Sequence, residues 1–175
     1  EMAMNLHTKN GGEAASSAAE ASKNANFAIT MLPNGKATKE AVLGADGIIE
    51  KLPKDSLIID MSTIHPLETD QIRKDLEENG FSMVDAPVGR TSVEAEKGQS
   101  LFMVGAEKQD FKIAQPILAC MGDTIIDCGG PGTGSRMKIV NNLMTTSLNV
   151  LTAQVLTFSD ATGLDRDIAL KVMEG

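Results

Sequence analysis

Through residue 127, short apolar runs alternate with stretches of helical periodicity, and that alternation leaves few folds open to this chain. Phe27-Ala28-Ile29-Thr30-Met31 and Leu57-Ile58-Ile59-Asp60-Met61 have the length and β-branched content of buried strands. Residues 81–84, 100–104 and 124–127 read as three more. Between them, residues 37–43, 66–79 and 107–121 carry helical patterns, the second opening on Pro66 and stopped by Gly80, the third continuing despite Pro116. Strands alternating with helices predict an α/β fold, a doubly wound parallel sheet covered on both faces. In such sheets ligands bind beyond the carboxyl ends of the strands. The segments to test are therefore Met31-Leu32-Pro33-Asn34, Ser62-Thr63, residues 85–92 and the Gly-rich run after Asp127.

From residue 133 to about residue 162 the pattern changes to one helix, on the order of 45 Å long at 1.5 Å per residue. That length exceeds one face of a small sheet. The expected organisation is a Rossmann-type domain over 1–132, then 133–175 as an interdomain helix and the start of an all-helical domain, with Gly163 breaking the helix. A dinucleotide-binding domain opens with a strand and a G-x-G-x-x-G turn, followed by an acidic residue about 20 positions later. Here Glu1-Met2-Ala3-Met4-Asn5-Leu6 has the look of the helix after such a turn, and residues 9–13 run straight into an Ala-rich helix. The domain is expected to be incomplete at its N-terminus and the second domain truncated.

Composition excludes several functions. The formal net charge is −8 and the chain has neither Trp nor Tyr, so the basic face and stacking platforms of a nucleic-acid binder are missing. No apolar run approaches the ~18 residues of a membrane span, and no basic segment with an apolar core marks a secretory leader. The expectation is a cytoplasmic protein with reduced thiols at Cys120 and Cys128 and no membrane partner. Two histidines, His7 and His65, without a clustered ligand set make a metal site improbable.

On the long helix, Lys138, Asn141, Asn142, Thr145 and Asn149 form one stripe at offsets of 0, 3, 4, 7 and 11. Apolar residues flank it. Periodicity alone leaves a solvated face and a buried functional stripe about even. Lys138 lies near the positive end of the helix dipole and near Arg136, and both disfavour its ammonium form. Gly129-Gly130-Pro131-Gly132-Thr133-Gly134 is no P-loop, because Ser135-Arg136 follows where Lys and Ser or Thr would stand; a tight turn passing close to a ligand or a neighbour accounts for it. Arg90, beside Thr91 and Ser92, offers forked donors for an anionic oxygen group, although a loop Arg is more often simply exposed. Thr63 is placed either to touch a cofactor or to cap the next helix.

Asp85-Ala86-Pro87-Val88, the Gly-rich turn and Lys138-x-x-x-Asn142 resemble the β-hydroxyacid dehydrogenases. More narrowly, Ile29-Thr30-Met31-Leu32-Pro33-Asn34-Gly35, Ile59-Asp60-Met61-Ser62-Thr63-Ile64-His65-Pro66-Leu67 and Pro87-Val88-Gly89-Arg90-Thr91-Ser92 resemble the branch that reduces 3-sulfolactaldehyde. The resemblance implies a Rossmann domain entered and left as above, with NAD as cofactor and NADP open. It implies Lys138 as the group that protonates the aldehyde oxygen, with Asn142 holding substrate and Lys138. Arg90, Thr91, Ser92, Asn141 and Thr145 would surround the substrate, and Met31, Leu32, Pro33, Thr63 and Met2 the cofactor, with no metal. It implies a small anionic aldehyde or hydroxyacid as substrate, 3-sulfolactaldehyde going to 2,3-dihydroxypropane-1-sulfonate, and assembly as a homodimer or homotetramer. Two other readings stand beside it. One is a relative acting on a carboxylate such as 3-hydroxyisobutyrate, tartronate semialdehyde or succinic semialdehyde. The other is a non-catalytic scaffold, favoured by the missing Gly fingerprint and opposed by the presence together of Lys138, Asn142 and Arg90.

Overall fold

A computed structural model describes residues 2–174, with side chains from residue 5 onward. Two compact units result, one running to Lys138 and one starting at Ile139. The first opens with helices α1 (Met2–Lys9) and α2 (Ala18–Ser22), followed by strand β1 (Phe27–Thr30), α3 (Gly35–Leu43), a 3-10 turn (Ile48–Glu50) and β2 (Leu57–Asp60). Next come α4 (Pro66–Glu78), β3 (Ser82–Asp85), β4 (Val88–Gly89), α5 (Ser92–Glu96), β5 (Ser100–Gly105), α6 (Lys108–Leu118) and β6 (Gly122–Gly129). Helix α7 (Thr133–Ala161) passes from the first unit into the second, where α8 (Arg166–Met173) follows. The sequence boundary at 132/133 is thus the start of α7, and the division by contacts falls further on, between Lys138 and Ile139.

The six strands form one sheet in the order β1-β2-β3-β5, with β4 and β6 each paired to β5. β1, β2 and β3 are parallel, in a register that sets Thr30, Asp60 and Asp85 side by side. The expectation of a parallel sheet fails at β5. It runs antiparallel to β3 and β4, pairing Asp85 with Gly105, Val88 with Phe102 and Gly89 with Leu101, while β6 lies parallel to β5. The reason lies in the connection. A parallel return needs a crossover of a dozen or more residues, whereas here only the short α5 intervenes and the chain doubles back. Reading 85–92 as loop hides β4, whose two residues carry no periodicity.

Both faces of the sheet are covered, as strands with continuous apolar runs require. Along β2 the pleat sends Leu57 and Ile59 to one side, against Val84, Phe102, Val104 and Leu118 of α6. It sends Ile58 to the other, against Val42, Ile72 and Leu76 of α3 and α4. His65, not Thr63, caps α4, its Nδ1 accepting from the Leu67 N–H at 3.2 Å. In the second unit, Gly163 at φ +79° ends α7 and Asp165 caps α8.

What fixes the start of α7 is a buried carboxylate. Asp85, 1% exposed, accepts from the N–H groups of Gly132 and Ser135, both at 2.7 Å. Those are among the donors a helix start leaves unpaired, and a negative charge there also meets the positive end of the dipole. Burial nevertheless pushes the Asp85 carboxyl up to about 6, against these hydrogen bonds. From α4, Thr69 Oγ1 lies 3.1 Å from Ser135 Oγ, and Asp70 takes both terminal nitrogens of Arg136. The helix approaches the strands closely enough that a Cβ on Gly134 would lie 2.6 Å from the Asp85 carbonyl oxygen, and one on Gly105 2.6 Å from the Gly134 nitrogen.

Two outcomes follow for α7. Gly134→Ala destabilises the fold by ~2–3 kcal/mol, because its methyl group meets backbone. Gly130→Ala, whose Cβ meets nothing within 4 Å, changes stability by under ~1 kcal/mol in the same chemical denaturation series. The Asp85 carboxyl carbon titrates by NMR with a midpoint near 6, above the ~3.9 of an unfolded Asp. Its contribution to stability is therefore full below pH ~4 and is lost as pH rises through the folded value, by on the order of 3 kcal/mol. Unfolding free energies at both ends of that window, compared with Asp85→Asn, give the difference directly.

Candidate active site

The carboxyl ends of the three parallel strands bring their following residues to one rim. After β1 stand Met31, Leu32 and Pro33, the first and third exposed and Leu32 half-buried. After β2 stand buried Ser62 and exposed Thr63. The two turns are tied together, the Leu32 N–H donating to Ser62 Oγ at 2.9 Å. After β3 comes β4 with Val88. Along the free side of β1 runs a cleft of about 390 Å³, walled by small side chains including Ala18, Ala21 and Ala25 and reaching Met31 and Leu32. No periodicity in the sequence marks that cleft.

Lys138 approaches this rim from the first turns of α7. Its Nζ donates to the Val88 carbonyl at 2.6 Å, so the amine is fastened to β4. The side chain is half-buried, and burial lowers its pKa below the ordinary lysine range. Desolvation is the cause, since it disfavours the charged form. Arg136, expected to contribute, is instead paired with Asp70. Among the described residues no ion pair includes Lys138.

Arg90 directly follows β4, at φ +69°, a conformation uncommon for a residue with a side chain. Its guanidinium turns toward β6. Nη1 donates to Asp123 Oδ1 at 2.7 Å and to the Gln99 carbonyl at 2.5 Å, and Nη2 donates to Thr124 Oγ1 at 3.0 Å. Thr91 and Ser92 open α5. Thr91 is its N-cap, accepting from the Val93 N–H and bonded to Glu94 in a capping box, and Ser92 is the first helical residue. The loop read as an anion clamp is thus organised by a helix start and an ion pair. Only the helix start was open to a sequence reading, since Thr91-x-x-Glu94 has capping-box spacing.

In the second unit, Asn141 and Thr145 are exposed and Asn142 is half-buried. The Thr145 hydroxyl donates back to the Asn141 carbonyl at 3.0 Å. Their apolar neighbours are exposed as well, Leu143 at 69% and Met144 at 65%, so within that unit neither side of the helix is covered. The Met2 side chain, expected near the cofactor, lies outside the described residues. Cys120 and Cys128 are free thiols. Among the described residues no group of three His, Cys, Asp or Glu could hold a metal ion, and no helix is long and apolar enough to cross a membrane.

Comparison with known proteins agrees with this architecture. Residues 1–130 match the family described as the NAD binding domain of 6-phosphogluconate dehydrogenase. The chain is 46% identical over 165 residues to 3-sulfolactaldehyde reductase of Escherichia coli (strain K12), covering 94% of this chain and 55% of that protein. It is 38% identical over 163 residues to mitochondrial 3-hydroxyisobutyrate dehydrogenase of Mus musculus, covering 93% and 49%. Among solved structures, 3-hydroxyisobutyrate dehydrogenase of Mycobacterium tuberculosis, determined with L-serine, superposes with a TM-score of 0.87 at 28% identity, over 94% of this chain and 55% of the other. The chain spans about half the length of the curated relatives it matches. It belongs to the family of the NAD binding domain of 6-phosphogluconate dehydrogenase.

Proposed function

We propose that the protein reduces 3-sulfolactaldehyde to 2,3-dihydroxypropane-1-sulfonate with NADH, Lys138 acting as general acid. The observation that carries this reading is the Lys138 amine, half-buried at the strand-end rim and without a carboxylate partner among the described residues. The 46% identity to a 3-sulfolactaldehyde reductase supports the substrate.

The chemistry of the rim fits the nicotinamide end of a dinucleotide. Met31 and Leu32 offer apolar contact, and the Thr63 hydroxyl, unbonded among the described residues, offers a donor and an acceptor. Pro33 and Met2 complete the proposed cofactor contacts. The sequence contains neither a G-x-G-x-x-G turn for a pyrophosphate nor an acidic residue following one to read the ribose, so NAD is proposed from the description of the family as an NAD binding domain. A bound NADH supplies the hydride that converts the aldehyde carbon to an alcohol carbon.

Negative charge then builds on the carbonyl oxygen. The Lys138 ammonium stabilises that charge and gives the oxygen a proton, so that aldehyde, hydride and proton sum to the alcohol and Lys138 is left as a neutral amine. Its lowered pKa makes it a stronger acid than an exposed lysine. In the reverse direction the neutral amine takes the proton back. Asn142 is proposed to orient substrate and amine. Arg90, Thr91, Ser92, Asn141 and Thr145 are proposed around the substrate's anionic end; with Arg90 Nη1 given to Asp123 and Gln99 and one Nη2–H to Thr124, its Nε–H and second Nη2–H are the donors left for a sulfonate.

Lys138→Met lowers kcat for reduction by ~10²–10⁴ with a much smaller change in KM. In the wild type, reduction falls off on the basic side as Lys138 loses its proton, with an inflection below that of an ordinary lysine, and oxidation rises through the same inflection. A pH–rate profile in both directions checks this, and a basic limb unchanged in Lys138→Arg overturns the assignment. Steady-state rates on 3-sulfolactaldehyde, tartronate semialdehyde and succinic semialdehyde test the substrate. A preference of more than about tenfold, ~1.4 kcal/mol, for a carboxylate rejects the sulfonate. Absence of NADH binding at millimolar concentration instead favours a non-catalytic scaffold.

A further inference from the structure

Of the three side chains aligned at the carboxyl ends of β1, β2 and β3, Asp85 is taken up by α7, but Asp60 has no helix to cap. Asp60 is 1% exposed, and one of its oxygens carries all its bonds. Oδ1 accepts from Thr30 Oγ1 at 2.8 Å, from the Ser62 N–H at 3.2 Å and from Ser62 Oγ at 2.6 Å. Oδ2 is buried with no partner. Because Ser62 gives its single hydroxyl proton to Asp60, its oxygen is left to accept, and it accepts from the Leu32 N–H at 2.9 Å, with Thr38 Oγ1 a further 3.5 Å neighbour. Removing Asp60 would free the Ser62 hydroxyl to turn its proton elsewhere.

We infer that Asp60 is a positioning residue that, by fixing the Ser62 hydroxyl, locks the turn after β1 to the turn after β2 and so sets the spacing of Leu32 and Thr63. Its consequence for catalysis rests on the proposed reading, in which those two residues meet the nicotinamide. The lock itself does not. Burial without a charged partner is expensive for a carboxylate, and its pKa is pushed up accordingly. A group held at that cost only to satisfy Thr30 would need no link onward to Leu32.

The geometry makes an uncommon demand, since only one oxygen is used. Asp60→Asn keeps an acceptor at Oδ1 and places its amide where Oδ2 bonds to nothing, so it should preserve the lock. Asp60→Ala and Ser62→Ala remove it. In residue-resolved amide hydrogen exchange on the protein without added nucleotide, Leu32 exchanges about tenfold faster in both Ala variants than in the wild type, beyond any change in globally exchanging core amides, and within about threefold of wild type in Asp60→Asn. If Asp60→Ala fails to fold, Ser62→Ala, which leaves Asp60 bonded to Thr30, carries the same comparison. Unchanged Leu32 protection in Ser62→Ala, or an Asp60→Asn variant as fast as the Ala variants, overturns the inference.

NADH titration followed at the Leu32 and Thr63 amides separates this inference from the reading beneath it. With the lock present, the dissociation constant rises about tenfold in Ser62→Ala and stays within about threefold in Asp60→Asn. If exchange responds as described but NADH moves neither amide in the wild type, the lock stands and the cofactor assignment falls.

Discussion

A single carboxylate joins the sheet to the helix that carries the proposed acid. Asp85 ends β3 and accepts from two N–H groups at the start of α7, while three residues further along the same chain the Val88 carbonyl takes the Lys138 amine. β3 and β4 therefore grip the helix once each, at its N-terminus and just over one turn later. Rotation of α7 by one residue, ~100°, would break both grips together. Gly105 and Gly134 permit the approach, since a Cβ at either would collide with backbone. Asp70 and Thr69 brace the same turn from α4. The position of Lys138 is thus settled by backbone geometry and buried polar contacts, both of which resist small displacements.

Sequence reading reached the elements that depend on burial and failed where pairing decides. The runs at 27–31 and 57–61 and the helix at 66–79 were legible because continuous apolar residues, Pro66 and Gly80 are local signals. The sense of β5 was not, because Ser100 to Val104 has the same composition whichever way it runs; only the short return through α5 reverses it. The strand-end rule drew attention to Leu32, Ser62, Thr63 and residues 85–92. It gave no means of knowing that Asp85 would turn inward to cap a helix 47 residues away, or that Arg90 would be bound by Asp123 from β6. Such partners are distant in sequence and leave no period. For α7, the polar stripe was legible, and in the second unit Asn141, Thr145 and the apolar Leu143 and Met144 beside them are exposed.

The two aspartates at the strand ends show how a buried charge becomes useful in this fold. Each sits in register with the other on neighbouring strands; Asp85 accepts from two backbone N–H groups at a helix start, and Asp60 from one backbone N–H and two hydroxyls at a turn. Asp85 uses both oxygens, and Asp60 uses one. Alternating polar anchors with the Ile58 and Met83 packing just before them places rigidity at the strand ends, which is where an α/β sheet meets its ligands.

Against this background Lys138 is held differently from the two arginines that follow β4 and open α7. The chain carries a formal −8, and Arg136 on the same helix and Arg90 after β4 are each paired with a carboxylate, Asp70 and Asp123. Lys138 instead donates to a neutral carbonyl. A carboxylate at that distance would stabilise the ammonium and raise its pKa, whereas a carbonyl in a partly desolvated setting lets burial lower it. An amine held in this way gives up its proton more readily than an exposed lysine and still presents a donor to an incoming oxygen. Half-burial on a peptide oxygen, with no carboxylate beside it among the described residues, is what makes a lysine near a helix start a candidate acid.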